Sequence, residues 1–196
     1  NMLFGGIYDH ARGGIHRYSV KSDWVIPHFE KMLYDQAGLI KVLAKLGLIY
    51  PNPLIFDALF DTVEYLSKEM QSESGYFFSS QDADTEGEEG IYFTFTENEF
   101  DNVLEKDESL KNQKEKLKNW FGISPKGNFE KGLSIISLDP AFKEDFLTEE
   151  GWEIVRKVRK EIYNERKKRI PPGTDNKGIA SWNFMLLSAL CDVIQY

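Results

Sequence analysis

The sequence predicts an all-α chain of antiparallel helical hairpins with one β-hairpin inserted between them. Apolar residues recur at three- and four-residue steps over several segments, which is the spacing of one buried helix face. With 196 residues, 41% of them apolar, the chain is long enough to bury a core in a single domain over residues 1–196. No strand–helix–strand alternation indicates a parallel sheet. About six helices are therefore expected.

The first two helices are expected to form a hairpin. The first apolar stripe starts at Pro27 and ends near Gly47, and proline suits a first helical turn because its missing N–H is not needed there. The second stripe runs from Pro53 to Met70, with Asn52 placed to cap it. Because only a short link separates the two stripes, the helices are predicted to pack antiparallel.

A β-hairpin is predicted at about residues 75–96. Residues 75–80 and 90–96 are rich in aromatic and small side chains, as strands often are. The acidic stretch from Gln81 to Glu89 lies between them. We interpret this stretch as the long loop of the hairpin.

The remaining helices are predicted from their end signals. Thr96 and Glu99 have the spacing of a capping box for a short helix over about residues 97–105. Residues 149–168 begin acidic and end basic, which suits the dipole of a longer helix. Ser181 is placed to cap a last helix. The inner face of that helix is predicted to comprise Trp182, Met185, Leu186, Ala189, Leu190 and Val193.

Composition and charge exclude two kinds of partner. The net charge is −8, from 24 Lys and Arg against 32 Asp and Glu, which argues against nucleic acid. No apolar run approaches the roughly 20 residues of a spanning helix, so no membrane partner is expected. The single cysteine, Cys191, lies in the last apolar stripe and is predicted to be a buried thiol. A chain without an internal disulfide suits a reducing compartment, so a cytoplasmic location is expected.

Five polar segments stand out at the junctions between predicted loops and helices: residues 5–19, 24–35, 80–90, 127–130 and 175–183. In this order, they resemble the YyaL-type family over essentially the whole chain. Members of that family carry a thioredoxin-like domain followed by an (α/α)6 toroid of helical hairpins. That toroid is similar to N-acylglucosamine 2-epimerases and six-hairpin glycosidases.

The resemblance implies that the chain is an internal part of an (α/α)6 toroid, because the predicted helices are too few to close one. It implies a thioredoxin-like domain of the same full-length protein as partner, and open apolar faces that favour self-association. It names no reaction, since one fold serves many functions. The chain departs from the family pattern at Arg12, Asn176 and Phe184, where Gly, Asp and Gly are expected. Without a carboxylate at position 176, an acid–base role of that loop is weakened.

The segment from Asp82 to Glu89 crowds five carboxylates into eight positions. Two like charges at 4 Å repel by about 4 kcal/mol at an effective dielectric constant of about 20, so such a cluster binds a cation, keeps a proton or extends into water. A calcium loop of the EF-hand type is excluded, because its twelfth position is Phe93. A looser metal site, acid–base chemistry and a solvated loop remain open.

His28 is the predicted catalytic base. It is expected in the first turn of the first helix, where the positive end of the dipole favours neutral imidazole. Asp82 and Asp84 are the catalytic carboxylates, predicted to point toward His28. Lys31 and Asp35 have the spacing of an ordinary helical ion pair.

Two function hypotheses follow. The first is a carbohydrate-active domain that transfers a proton at a sugar carbon or a glycosidic oxygen. The second is a non-catalytic binding or scaffold domain. No motif indicates a nucleotide, flavin or haem, so no cofactor is expected, and no metal is assigned. The residues predicted to contact a sugar-like small molecule are His16, Arg17, Tyr18, Trp24, Glu30, Glu86, Trp182 and Asn183.

Overall fold

The computed structural model describes residues 1–194, and this part of the chain is mainly helical. The prediction of a mainly helical chain is confirmed. The α-helices within these residues are α1 (Leu33–Ile49), α2 (Pro53–Tyr65), α3 (Glu97–Leu104), α4 (Glu108–Lys111), α5 (Lys114–Trp120), α6 (Lys143–Phe146), α7 (Glu149–Arg166) and α8 (Ala180–Val193).

Short strands connect the helical parts. They are β1 (Tyr18–Ser19), β2 (Pro27–His28), β3 (Lys31–Met32), β4 (Ser80–Gln81), β5 (Asp84–Thr85), β6 (Glu88–Glu89), β7 (Thr94–Phe95), β8 (Ser134–Ile135) and β9 (Thr174–Asp175). Strands β3, β4 and β9 form one sheet in that order, β1 pairs with β2, β5 with β6, and β7 with β8. All of these pairings are antiparallel.

The first helix begins later than predicted. α1 starts at Leu33, whereas Pro27 and His28 form β2. β2 pairs with β1, and β3 pairs with β4 from much further along the chain. These hydrogen bonds to remote segments override the local helical spacing. The prediction that His28 lies in a first helical turn is therefore wrong, and the dipole argument for its neutral state does not apply.

The helical hairpin of α1 and α2 agrees with the prediction. Asn52 Oδ1 accepts the backbone N–H of Leu54 at 2.8 Å and caps α2. A π-helical segment, Leu66–Met70, continues α2 to the predicted end. α1 packs against both α2 and α8, so these three helices enclose one core of the molecule.

The predicted β-hairpin over residues 75–96 is wrong in its pairing. Asp84 lies opposite Glu89 in the β5–β6 hairpin, inside the stretch predicted as a loop. Its turn is made by Glu86 and Gly87, which have φ of 55° and 81°. Positive φ at both central residues defines the tight turn that suits twisted strands. The flanking strands β4 and β7 pair elsewhere, with β3 and β9 and with β8 respectively.

The predicted caps of α3 and the predicted core face of α7 are confirmed. The Thr96 side chain accepts the N–H of Glu99, and the Glu99 carboxylate accepts the N–H of Thr96, which completes the capping box. α3 and α7 pack together over a second core. The buried residues of α7 in this core include Trp152, Val155, Val158 and Ile162.

α8 differs from the prediction in its cap and in its buried face. It begins at Ala180, so Ser181 lies within the helix and does not cap it. Met185 is 50% exposed, and Cys191 is exposed as well, so the prediction of a buried thiol is wrong. The buried residues of α8 are Leu186 and Ala189. Because α8 packs chiefly on α1, its opposite face remains open to solvent.

Candidate functional site

A buried ionic cluster joins the N-terminal Gly-rich segment to α7. The Asp9 carboxylate accepts two hydrogen bonds from the Arg166 guanidinium, at 2.8 and 2.9 Å, and a third from Lys31 Nζ at 2.7 Å. All three side chains are buried. Burial by itself raises the pKa of Asp9, but the charges of Arg166 and Lys31 hold that pKa well below its ordinary value. The carboxylate therefore stays ionised and holds three remote segments together.

The buried residues around this cluster are structural rather than exposed to ligand. His16 lies against Phe29 and Phe93, and its ring Nδ1 hydrogen-bonds the Phe29 carbonyl at 2.8 Å. Burial and the nearby charge of Lys31 lower the pKa of His16 to about 3. The ring is neutral at pH 7 and only 2% exposed, so the structure places His16 where a substrate has no access.

A second, partly buried ion pair supports the same segment. Arg159 of α7 donates to the carbonyl of His10 and to the carboxylate of Asp61 in α2. Burial and the charge of Arg159 lower the pKa of His10 to about 4. α7 thus contacts the Gly-rich segment through two arginines, and the predicted ion pair between Lys31 and Asp35 is wrong because Lys31 pairs with Asp9.

The surface cluster around His28 is the best candidate for a ligand site. The pairing of β1 with β2 places Tyr18 opposite His28, and the two rings stack at 5.0 Å between centroids. His28 Nδ1 lies 2.7 Å from Glu89 Oε1, which also accepts the N–H of Phe29 at 3.2 Å. A carboxylate accepts only, so Nδ1 carries the proton in this contact. Nε2 is therefore the nitrogen left to interact with a ligand.

Two further predicted residues complete this cluster. Glu30 Oε2 lies 3.7 Å from His28 Nε2 and accepts a hydrogen bond from Arg17 at 2.8 Å. A cavity of about 440 Å³ opens beside the cluster. Its lining includes Tyr18, Pro27, His28, Glu89, Phe129 and Glu130. This set combines aromatic surface, an imidazole and carboxylates within the size range of small-molecule sites.

The acidic loop contributes to this cavity through different residues than predicted. Asp82, Asp84 and Glu86 are exposed, and in residues 1–194 none of the three contacts His28. Glu89, which sequence reasoning did not select, makes the contact instead. Glu88 forms an ion pair with Lys131 at 2.8 Å. The structure thus favours Glu89 over Asp82 and Asp84 as the carboxylate partner of His28.

Trp24 lies outside the His28 cavity. It has φ of 67° and lines a separate cavity of about 610 Å³ together with Lys21, Asp23 and Asn128. The Trp24 carbonyl accepts the N–H of Ile7 at 3.1 Å. A side chain at Gly5 would place its Cβ 2.3 Å from that carbonyl oxygen, so the close approach requires glycine.

Trp182 and Asn183 of α8 have packing roles. The Trp182 ring meets the Tyr34 ring edge to face at 4.9 Å. The Asn183 side chain accepts a hydrogen bond from the Phe77 N–H at 2.7 Å and donates one to the Phe77 carbonyl at 3.0 Å. This pair of hydrogen bonds replaces those that a neighbouring β-strand would make with the Phe77 backbone. The structure does not bring either residue to His28.

Asp35 is a further residue that sequence reasoning missed. Its Oδ2 is buried without a hydrogen-bond partner among the described residues. Burial raises the pKa of Asp35 to about 6, the charge of Arg17 opposes the shift and that of Glu30 adds to it. This raised pKa and the unpartnered oxygen make Asp35 a candidate functional residue beside the Arg17–Glu30 pair. The signal in the sequence was its place in the same polar segment as His28.

Among residues 1–194, no group of three or more His, Cys, Asp and Glu side chains is arranged to hold a metal ion. None of the helices in this range is both long enough and apolar enough to cross a membrane.

The structure thus defines a mainly helical chain with a buried ionic core and a His–carboxylate cavity at its surface. The chain is 31% identical to Spermatogenesis-associated protein 20 of Mus musculus and 28% identical to that of Homo sapiens, in both cases over 95% of this chain. It is 25% identical to Uncharacterized protein B0495.5 of Caenorhabditis elegans over its whole length. The chain spans 27% of the two mammalian relatives and 30% of the nematode one. No family model matches the chain.

Proposed function

We propose that this chain is part of an (α/α)6 toroid of a YyaL-type protein and binds a sugar-like small molecule in the His28 cavity. The observation that carries the proposal is the contact between His28 and Glu89 beside an open cavity with an aromatic wall. The helical hairpins and the five polar segments support the toroid. The relatives add no ligand to this argument, because their names state none.

The proposed chemistry is proton transfer by His28 at a sugar carbon or a glycosidic oxygen. Glu89 fixes the ring orientation and the Nδ1–H tautomer, as a carboxylate does for histidine in many active sites. Nε2 then accepts or returns the proton at the substrate. Glu30, held by Arg17, supplies a second negative charge 3.7 Å from Nε2 and stabilises the imidazolium that forms.

Calorimetric titration of mono- and disaccharides and their N-acyl derivatives tests the proposal. We expect one of these sugars to bind, and His28→Gln to weaken its binding at least tenfold. If the sugar is turned over, the same change should lower the rate by about 100-fold, a typical contribution of a general base. Lys126→Gln, at an exposed position outside the cavity, serves as the matched control. Unchanged binding and turnover by His28→Gln would remove the role of His28.

A second candidate function is a binding or scaffold domain, with a thioredoxin-like domain of the same full-length protein as its partner. One observation favours it: large apolar side chains are exposed on α1 and α8. They are Val42, Leu48, Ile49, Phe184, Met185 and Leu187, each at least half exposed. Open apolar surface of this kind often marks an interaction site.

Sedimentation velocity tests whether the exposed apolar face of α8 mediates association. If the α8 face mediates association, the chain should self-associate at micromolar concentration, and Leu187→Ser should abolish this association. His28→Gln should leave the association unchanged. A chain that stays monomeric at all concentrations would argue against self-association through the α8 face.

A further inference from the structure

The His28 cavity adjoins a second cavity. The second cavity has a volume of about 600 Å³, and the two share four lining residues. These residues are Glu88, Ile91, Lys131 and Leu133. The only described ion pair among them joins Lys131 Nζ to Glu88 Oε2 at 2.8 Å, with both side chains more than half exposed. The division between the cavities is thus made partly by a solvent-exposed salt bridge.

The wall of the second cavity is held in place by Arg169. Arg169 donates to the carbonyls of Ile91 and Thr94, at 2.9 and 2.6 Å, and to the carboxylate of Glu99 at 2.9 Å. The side chains with hydroxyl groups in the lining are Thr85, Tyr92, Thr94 and Thr96. These hydroxyl groups are largely buried: that of Thr94 donates to the Gly90 carbonyl at 3.0 Å, that of Thr96 donates to Glu99 at 2.9 Å, and that of Thr85 is buried without a hydrogen-bond partner among the described residues. The lining also includes Ile170, an apolar side chain that is 59% exposed.

Two residues of this cavity have strained backbones. Glu86 and Lys131 have φ of 55° and 54°, which side chains other than glycine rarely adopt. Each such residue is energetically unfavourable for an L-amino acid. Strain of this kind collects at ligand clamps, where the surrounding structure holds it in place. At Lys131, the Phe129 N–H donates to the Leu133 carbonyl at 2.9 Å and the Leu133 N–H donates to the Glu130 carbonyl at 3.0 Å, which closes the loop around the strained residue.

We propose that the two cavities are adjoining subsites of one cleft that binds a linear oligosaccharide. The ligand class rests on the proposed function of the His28 cavity. One sugar unit occupies that cavity, and the following units extend over the Glu88–Lys131 pair into the second cavity. An exposed ion pair contributes little to stability because water screens both charges, so a ligand is able to displace it at little cost. A neutral hydroxylated chain can hydrogen-bond both the acidic and the basic groups of this wall, whereas a charged ligand would meet groups of its own sign.

Calorimetric titration with α- and β-linked gluco-, galacto-, manno- and N-acetylglucosamine oligomers of one to six units tests the proposal. We expect a responsive series in which oligomers of three or more units bind at least tenfold more tightly than the monosaccharide. Ile170→Ser, which changes the second cavity alone, should weaken only the longer oligomers, by about fivefold, as expected for the loss of one apolar contact. His28→Gln should weaken ligands of every length. Lys126→Ser is the matched control for surface substitution.

The outcomes distinguish the two proposals. Equal affinity for all lengths, or oligomer binding that Ile170→Ser leaves unchanged, would overturn the cleft while the His28 site stands. A panel in which no sugar binds would overturn both. Tetraalanine is included as an extended ligand of another class, and its binding with the same dependence on Ile170 would overturn the assignment to oligosaccharides.

Discussion

The buried Asp9 carboxylate should be the most sensitive position of the chain to an isosteric change. Asp9→Asn retains the shape of the side chain but removes the only described carboxylate that contacts both Lys31 and Arg166. Two buried cations are then left without a counter-ion. At an effective dielectric constant of about 20, each ion pair at about 2.8 Å corresponds to about 6 kcal/mol of attraction. Breaking one buried pair is observed to cost about 3–5 kcal/mol.

We therefore expect Asp9→Asn to lower the free energy of unfolding by about 4 kcal/mol or more. For a chain of this length, that corresponds to a fall of about 8–16 °C in Tm. The double variant Asp9→Asn/Lys31→Met removes one of the stranded cations and should recover part of the loss. Glu108→Gln, which breaks an exposed pair with Lys111, is the matched control and should change stability by less than about 0.5 kcal/mol.

Urea unfolding at pH 7, followed by far-ultraviolet circular dichroism, measures these differences. If Asp9→Asn lies within 1 kcal/mol of the parent chain, the reasoning about stranded buried cations is refuted. A double variant less stable than Asp9→Asn would show that the Lys31 contacts to Tyr65 and Gly13 matter more than its charge.

Three other predictions concern titration and capping. In the folded chain, the pKa values of His10 and His16 are about 4 and 3, below their ordinary value of 6.5. As pH falls from 6.5 toward these folded values, the unfolded chain binds more protons than the folded chain, so unfolding in urea should become easier between pH 6.5 and 3. Burial raises the pKa of Asp35 to about 6, so ionising this carboxyl group lowers the stability of the folded chain as pH rises from about 4 to 6. In the same assay, Asp35→Asn should be more stable than the parent chain by about 1 kcal/mol at pH 8, a value reduced for the partial exposure of Asp35. Near pH 4 the two chains should be equally stable. Thr96→Ala removes the capping box of α3 and should cost about 1 kcal/mol in thermal unfolding at pH 7, whereas no loss would show that tertiary packing alone fixes this helix end.

Elements with local signals could be predicted from the sequence. Asn52 and Thr96 cap helices within three residues of themselves, so their roles follow from spacing alone. The start of α1 could not be predicted in this way, because residues 27–32 pair with β1 and with the distant β4. The tight turn at Glu86–Gly87 was missed because a non-glycine residue adopts positive φ there. Pairing between remote segments leaves little trace in local periodicity.

The candidate site was predicted in part. Arg17, Tyr18, His28 and Glu30 do come together, because two short strands bring two polar segments side by side. The carboxylate that contacts His28 lies in the predicted acidic loop but at Glu89, since the hairpin register decides which side chain faces the ring. The Asp9–Lys31–Arg166 cluster was not predicted at all. Lys31 and Arg166 lie 22 and 157 positions after Asp9 in the chain, and nothing in the local sequence around each residue links them.

The contacts of α7 with the N-terminal segment set an order of events during synthesis. Arg166 and Arg159 hold Asp9 and His10 from 157 and 149 positions further along the chain. At about 5–20 residues per second, the ribosome needs on the order of 10–30 s between making these two parts. During this interval the Asp9 carboxylate has no Arg166 to bind, so its bidentate ion pair forms only after α7 has been made. The core of this chain is thus completed only after α7 has left the exit tunnel.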